Sequence, residues 1–101
     1  MRSVPNIRIT PRALKRLRAR GHTAVSFVQH AVDGGGCLGI TYEILTVYKP
    51  PPDPDAFHKF EAEGITIYVD KNLAIGPELV VKARGLFGGE VGLEGAVCRV
   101  V

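Results

Sequence analysis

The sequence predicts an α+β fold of mixed strands with one N-terminal amphipathic helix, and three observations carry that reading. Thr10-Pro11 precedes Ala13, Leu14 and Leu17 at helical spacing, the pattern of an N-cap, a proline at the first helical position and one apolar face. Residues 40–48 set Ile40, Tyr42 and Ile44 against Thr41, Glu43 and Leu45, and residues 65–70 set Ile65, Ile67 and Val69 against Thr66, Tyr68 and Asp70. A period of two built from β-branched and aromatic residues is a strand. Glycines and prolines punctuate the rest, notably Pro50, Pro51, Pro52 and Pro54, which cannot donate to a ladder and predict an extended loop.

In chain order, Ile7, Arg8 and Ile9 predict a short strand, and the helix then runs for two to three turns until Gly21 stops it. Arg12, Lys15, Arg16 and Arg18 are expected in solvent, with Leu14 and Leu17 buried. Residues 24–32 and 40–48 are expected as two strands bracketing a glycine loop, as a hairpin or as neighbouring strands, with Cys37 at the tip. Phe57 and Phe60 return to apolar contact, Gly64 marks a turn, and Asp70, Lys71 and Asn72 end the strand begun at Ile65. After it, 73–75 is a short piece, Gly76-Pro77 a break and 79–83 a strand. Gly85, Gly88, Gly89, Gly92 and Gly95 predict a loose, turn-rich region around Leu86 and Phe87, before 96–101 closes the chain with Cys98 on the apolar face and Arg99 opposite.

A chain of 101 residues, 46% hydrophobic and with no internal repeat, is expected to be a single domain over 1–101. No apolar run approaches the roughly 20 residues of a membrane helix. The first residues lack the apolar core of a secretion signal, and two cysteines make no disulfide framework, so a cytoplasmic location with free thiols is expected. The net charge of +3 hides an asymmetry: seven bases and no acid lie in residues 1–22, and six bases against ten acids in the remainder. Such a cluster suits an acidic partner, nucleic acid or a plain solvated face. Without interleaved aromatics for base stacking, nucleic acid is the weakest of the three.

Residues 34–43, GGGCLGITYE, are the stretch on which chemistry converges. Gly34, Gly36 and Gly39 satisfy G-x-G-x-x-G, but a strand follows where a dinucleotide loop requires a helix N-terminus. What remains is a thiol, Cys37, on a loop supported by Gly35, Gly36 and Gly39. Bare amides around a cysteine favour its thiolate near a cation. The competing reading is a small residue packed at a turn. No histidine or acid stands at a recognisable catalytic distance along the chain, so an enzyme is not expected, and no C-x-x-C or H-x-x-x-H spacing suggests zinc.

These segments give the chain a resemblance to the HesB/IscA family of A-type iron–sulfur carriers. It rests on IRITPRAL for the opening strand and helix, GGGCLGITYE for the Gly-Cys loop and Tyr-bearing strand, and FEAEGITIYVD for the later strand. The resemblance implies a compact HesB-like fold, sandwich or pseudo-barrel. It also implies a cytoplasmic, dimeric protein that holds iron or an iron–sulfur cluster and hands it to apoprotein clients or assembly proteins. Such members end in Asn-Pro-Asn and Cys-Gly-Cys, whereas this chain ends GGEVGLEGAVCRVV. Cys37 therefore carries over as a metal ligand, while Cys98 stands between two readings, ligand and buried strand thiol. A cluster wants four ligands, which two chains would supply if both Cys37 and Cys98 converged on a dimer axis. Otherwise His30, Asp33, Glu43 and His58 are the non-sulfur groups to consider. The alternative function is a degenerate member that has lost its cluster and serves as a protein-interaction module.

Overall fold

The computed structural model describes residues 6–33, 39–85 and 89–98. Among them the chain is mostly β, with strands β1 (Asn6–Ile9), β2 (Ala24–Asp33), β3 (Ile40–Val47), β4 (Phe57–Ala62), β5 (Ile65–Asp70), β6 (Leu73–Ala83) and β7 (Val91–Cys98), and one α-helix, α1 (Pro11–Ala19). A 3-10 turn, Pro54–Ala56, closes the proline segment. No helix among the described residues is long and apolar enough to cross a membrane.

The helix boundaries follow from local chemistry. Thr10 is extended (φ −66°, ψ 152°) and its hydroxyl accepts from the Ala13 N–H at 3.3 Å, while Pro11 lacks the donor that the first turn would leave unpaired. At the other end Gly21 N–H donates to Arg18 O and His22 N–H to Leu17 O, the paired bonds of a Schellman stop. Ala13 and Leu17 are fully buried and Leu14 half-buried.

Two mixed sheets share the core. One has the order β1-β6-β7, with β1 parallel to β6 and β6 antiparallel to β7; the other has the order β3-β2-β5-β4, with β2 parallel to β5 and the outer pairs antiparallel. Val25, Phe27, Ile67 and Val69 face Leu73, Leu79, Val81 and Val91 in one cluster that α1 completes. The opposite face of β2 and β5 is covered too: Ser26 is buried and donates to Lys49 O at 2.6 Å, and Tyr68, Asp70 and Pro51 are also buried. This is why β5 ends as a continuous buried run instead of an alternating one.

Three sequence expectations change here. The closing strand expected from residue 96 begins already at Val91, so 91–95 are strand where glycines predicted loose turns. The reason is that Gly92 lies beneath the Arg84 side chain, and at Gly95 (φ 97°) a Cβ would collide with Glu78 O, so both glycines mark close approach within a sheet. Residues 73–75 and 79–83 belong to one strand, whose pairing jumps from Ile75↔Ala96 to Val80↔Glu94, so that Gly76 and Pro77 sit in an irregularity and do not end it. Arg16 is half-buried, bonded to the main chain between β6 and β7, where it was expected in solvent. Arg12, Lys15 and Arg18 are exposed as expected.

The topology sorts the molecule into two ends. The helix, the β4–β5 turn at Glu63 and the main chain of Arg84, Gly85 and Glu90 meet through Arg16 and Arg18. At the far end lie the last residues of β2, the first of β3, the turn from Asp70 to Leu73, and Cys98, which pairs with Leu73.

Candidate functional site

The β2–β3 ladder runs unbroken from Ser26↔Val47 to Asp33↔Ile40. Of the two arrangements the sequence allowed, hairpin or neighbouring strands, the antiparallel ladder between these consecutive strands is the first. The β2–β5 pairing stops earlier, at Phe27↔Val69, so residues 29–33 extend beyond β5. Asp70 secures the step: its buried carboxylate accepts from Gln29 N–H at 3.0 Å and Asn72 N–H at 2.9 Å. Nothing in the sequence reading singled out Asp70 for this. The available signal was an acid closing an otherwise apolar strand immediately before a turn.

Cys37, Gly35 and Gly36 lie outside the described residues. Gly39 is described: it is exposed, with φ 69° and open space where a Cβ would stand. On the hairpin, His30 and Glu43 are exposed cross-strand partners, three positions short of Asp33↔Ile40. His58 is elsewhere, on β4 opposite Val69, with its ring 6.4 Å from Phe60. The structure therefore brings His30 and Glu43 together and leaves His58 apart. Among the described residues no three His, Cys, Asp or Glu side chains are grouped to hold a metal ion.

Cys98 is half-buried and, with Ala96, packs against the core, while Val97 between them is 64% exposed. The alternation places the thiol on the inner face, as expected; Arg99 and Val100 lie outside the described residues.

Two side chains of β3 and its extension bind the other sheet through one residue. Thr46 Oγ1 donates to Val91 O at 3.0 Å, and Val91 N–H donates to Tyr48 Oη at 3.0 Å. Tyr48 also stacks on His22, with centroids 4.7 Å apart. Beside this seam a shallow cleft is lined by Glu43, Ile44, Thr46, Lys82, Arg84 and Leu93. Lys82 is already paired with Glu94, whose carboxyl is held below its ordinary pKa by the Lys82 hydrogen bond and charge. Charges of both signs line the cleft.

The chain matches, over residues 5–90, the family described as the CC/Se motif containing family. It belongs to that family. The matched span includes Cys37 and excludes Cys98, and the sequence contains no two adjacent cysteines. Among solved structures, that of Escherichia coli SufA, described as involved in biosynthesis of iron-sulfur clusters, is similar over 89% of this chain and 80% of that one, with 20% identity and a TM-score of 0.49. At that identity no residue's role carries over. No curated protein matches the chain.

Proposed function

We propose that this member of the CC/Se motif family is an iron–sulfur cluster assembly or carrier protein, with iron or a cluster as its cargo and Cys37 as the ligand. The observation that supports this reading most is the unbroken β2–β3 ladder to Asp33↔Ile40. The flanking strands are paired up to these two residues, and the sequence between them sets Gly34, Gly35, Gly36 and Gly39 around Cys37, a composition that favours a presented thiol over a packed one. The likeness of 34–43 to the Gly-Cys loop of the HesB/IscA family supplies the cargo.

The donor set sets a limit. One chain offers two thiols, and a cluster wants four ligands, so a single chain does not complete a site. Cys98 belongs to the same end of the molecule as the hairpin connection, but it packs against the core. Across a homodimer, Cys37 from each chain supplies two of the four ligands, and the other two come from small thiols, from non-sulfur groups such as His30 and Glu43, or from Cys98 if it turns outward. No enzymatic step is assigned, and the protein acts in the cytoplasm with assembly proteins or apoprotein clients. The second reading, an interaction module without a cluster, is favoured by the core contact of Cys98.

Anaerobic reconstitution of the full chain with ferrous iron and sulfide, followed by measurement of bound iron and sulfide per chain, tests the reading. Retention of both through gel filtration, at the elution volume of a dimer, supports it. A protein that retains neither is the interaction module.

A further inference from the structure

We propose that the outer face of α1 is a docking site for an acidic segment of a partner protein that carries one apolar anchor residue. The inference gives the interaction reading a partner chemistry, and it does not depend on whether Cys37 holds a cargo.

The helix turns Ala13 and Leu17 fully into the core and directs Arg16 to main-chain carbonyls between β6 and β7. What it leaves outward is an open cleft floored by Leu14, Pro11 and Ala19 and flanked by Lys15 and Arg18. Leu14 is half-buried, so part of an aliphatic side chain faces the cleft between two cations. Arg18 donates to Glu63 O at 3.3 Å, which steadies its side chain at the rim. The sequence of α1 contains four bases and no acid. A helix first turn ordinarily favours an acid, because its N-terminus carries partial positive charge. Arg12 in the first turn runs against that preference, while Arg18 in the last turn suits the opposite end of the helix.

Charge complementarity selects the occupant. A second copy would set basic helix against basic helix, which like-charge repulsion opposes. Nucleic acid would leave the aliphatic floor unused, and a nine-residue helix with one outward leucine buries too little to hold a membrane surface. An acidic segment satisfies Lys15 and Arg18, and a single apolar side chain fills the cleft over Leu14, the arrangement of an anchor inside a charged rim. The face lies at the end opposite Cys98 and the β2–β3 connection, so a partner docked there leaves the thiol end open.

The test uses the full chain and a short fluorescein-labelled peptide of Asp and Glu around one central Leu, with a Leu→Ser twin and a Lys-for-acid twin. Anisotropy should show saturable binding that falls about tenfold for the Leu→Ser twin, the worth of burying one leucine, and by at least as much in the Lys15→Glu/Arg18→Glu variant. That variant should instead take the Lys twin, and amide shifts on binding should map to α1. Both substituted residues are exposed, and thermal melts confirm that the variant is folded. Equal binding of the Leu and Ser peptides, binding indifferent to Lys15→Glu/Arg18→Glu, or no saturable binding would overturn the proposal. So would a dimer, seen by sedimentation, that the double variant dissociates, because the face would then serve a second copy.

Discussion

Arg16 and Glu90, 74 positions apart in the chain, are joined by a guanidinium-to-carbonyl hydrogen bond of 2.9 Å. The same guanidinium donates to Arg84 O at 2.6 Å and Gly85 O at 2.9 Å, while Arg84 N–H itself donates to Glu90 O at 3.0 Å. One side chain of α1 thus collects the carbonyls where β6 hands over to β7. The guanidinium spreads its donors over a planar fork that spans these separated carbonyls, whereas an ammonium presents its three donors from one atom. Arg16→Ala is expected to lower stability by about 1 to 2 kcal/mol, at the lower end for charge-assisted bonds because these are solvent-accessible. Arg16→Lys should recover less than half of that. Urea unfolding checks both, and a loss under about 0.5 kcal/mol, the size of an ordinary surface substitution, would contradict the assignment.

Gly95 answers to a different constraint. Its φ of 97° lies in the region glycine favours, and a Cβ would meet Glu78 O across the β6 irregularity. Gly95→Ala should cost about 2 to 3 kcal/mol, combining a strained backbone with an overpacked contact. Gly39→Ala, with positive φ but open space, should cost less than Gly95→Ala in the same urea series.

Asp70→Asn keeps the shape and removes one acceptor of the pair that binds Gln29 and Asn72 N–H groups. The loss should be about 1 to 3 kcal/mol, because one buried donor is left facing an amide NH2. Amide exchange at Gln29 and Asn72 should quicken more than exchange at Val25 in the core. Uniform acceleration would mean that Asp70 does not act locally.

Glu94 should titrate below an exposed glutamate, since Lys82 stabilises its carboxylate. A folded pKa lowered from the unfolded one adds stability that is full above the unfolded value and is lost as pH falls through the folded value. The contribution should therefore disappear only in acid, below the ordinary glutamate range. In Lys82→Met, the Glu94 carboxyl resonance should titrate at higher pH than in the parent. An unchanged midpoint would show that Lys82 is not its partner in solution.

Where a residue's role is set by its chain neighbours, the sequence was informative. Thr10, Pro11 and Gly21 delimited α1, alternation located β3 and β5, and an apolar run before the glycines located β2. Roles set across the fold were hidden. Gly92 and Gly95 read as turn residues because nothing nearby discloses that Arg84 and Glu78 approach them. Arg16 read as a solvent base because its acceptors are about 70 positions away. Phe57–Ala62 showed no clean alternation, and its pairing with β5 made it a strand. Of the candidate site, strand β3 and the inward side of Cys98 were legible from period two. The separation of His58 from His30 and Glu43 was not, because it follows from strand order.

The central claim, that Cys37 is the ligand for an iron or cluster cargo, is tested most directly by the visible absorbance of anaerobically reconstituted parent, Cys37→Ser and Cys98→Ser proteins, each with a thermal melt. The parent should show sulfur-to-iron charge-transfer absorbance and Cys37→Ser should lose it with an unchanged melt. Cys98→Ser should keep it while losing about 1 to 3 kcal/mol of stability, as expected for a hydroxyl set against an apolar core. Full absorbance in Cys37→Ser would contradict the account.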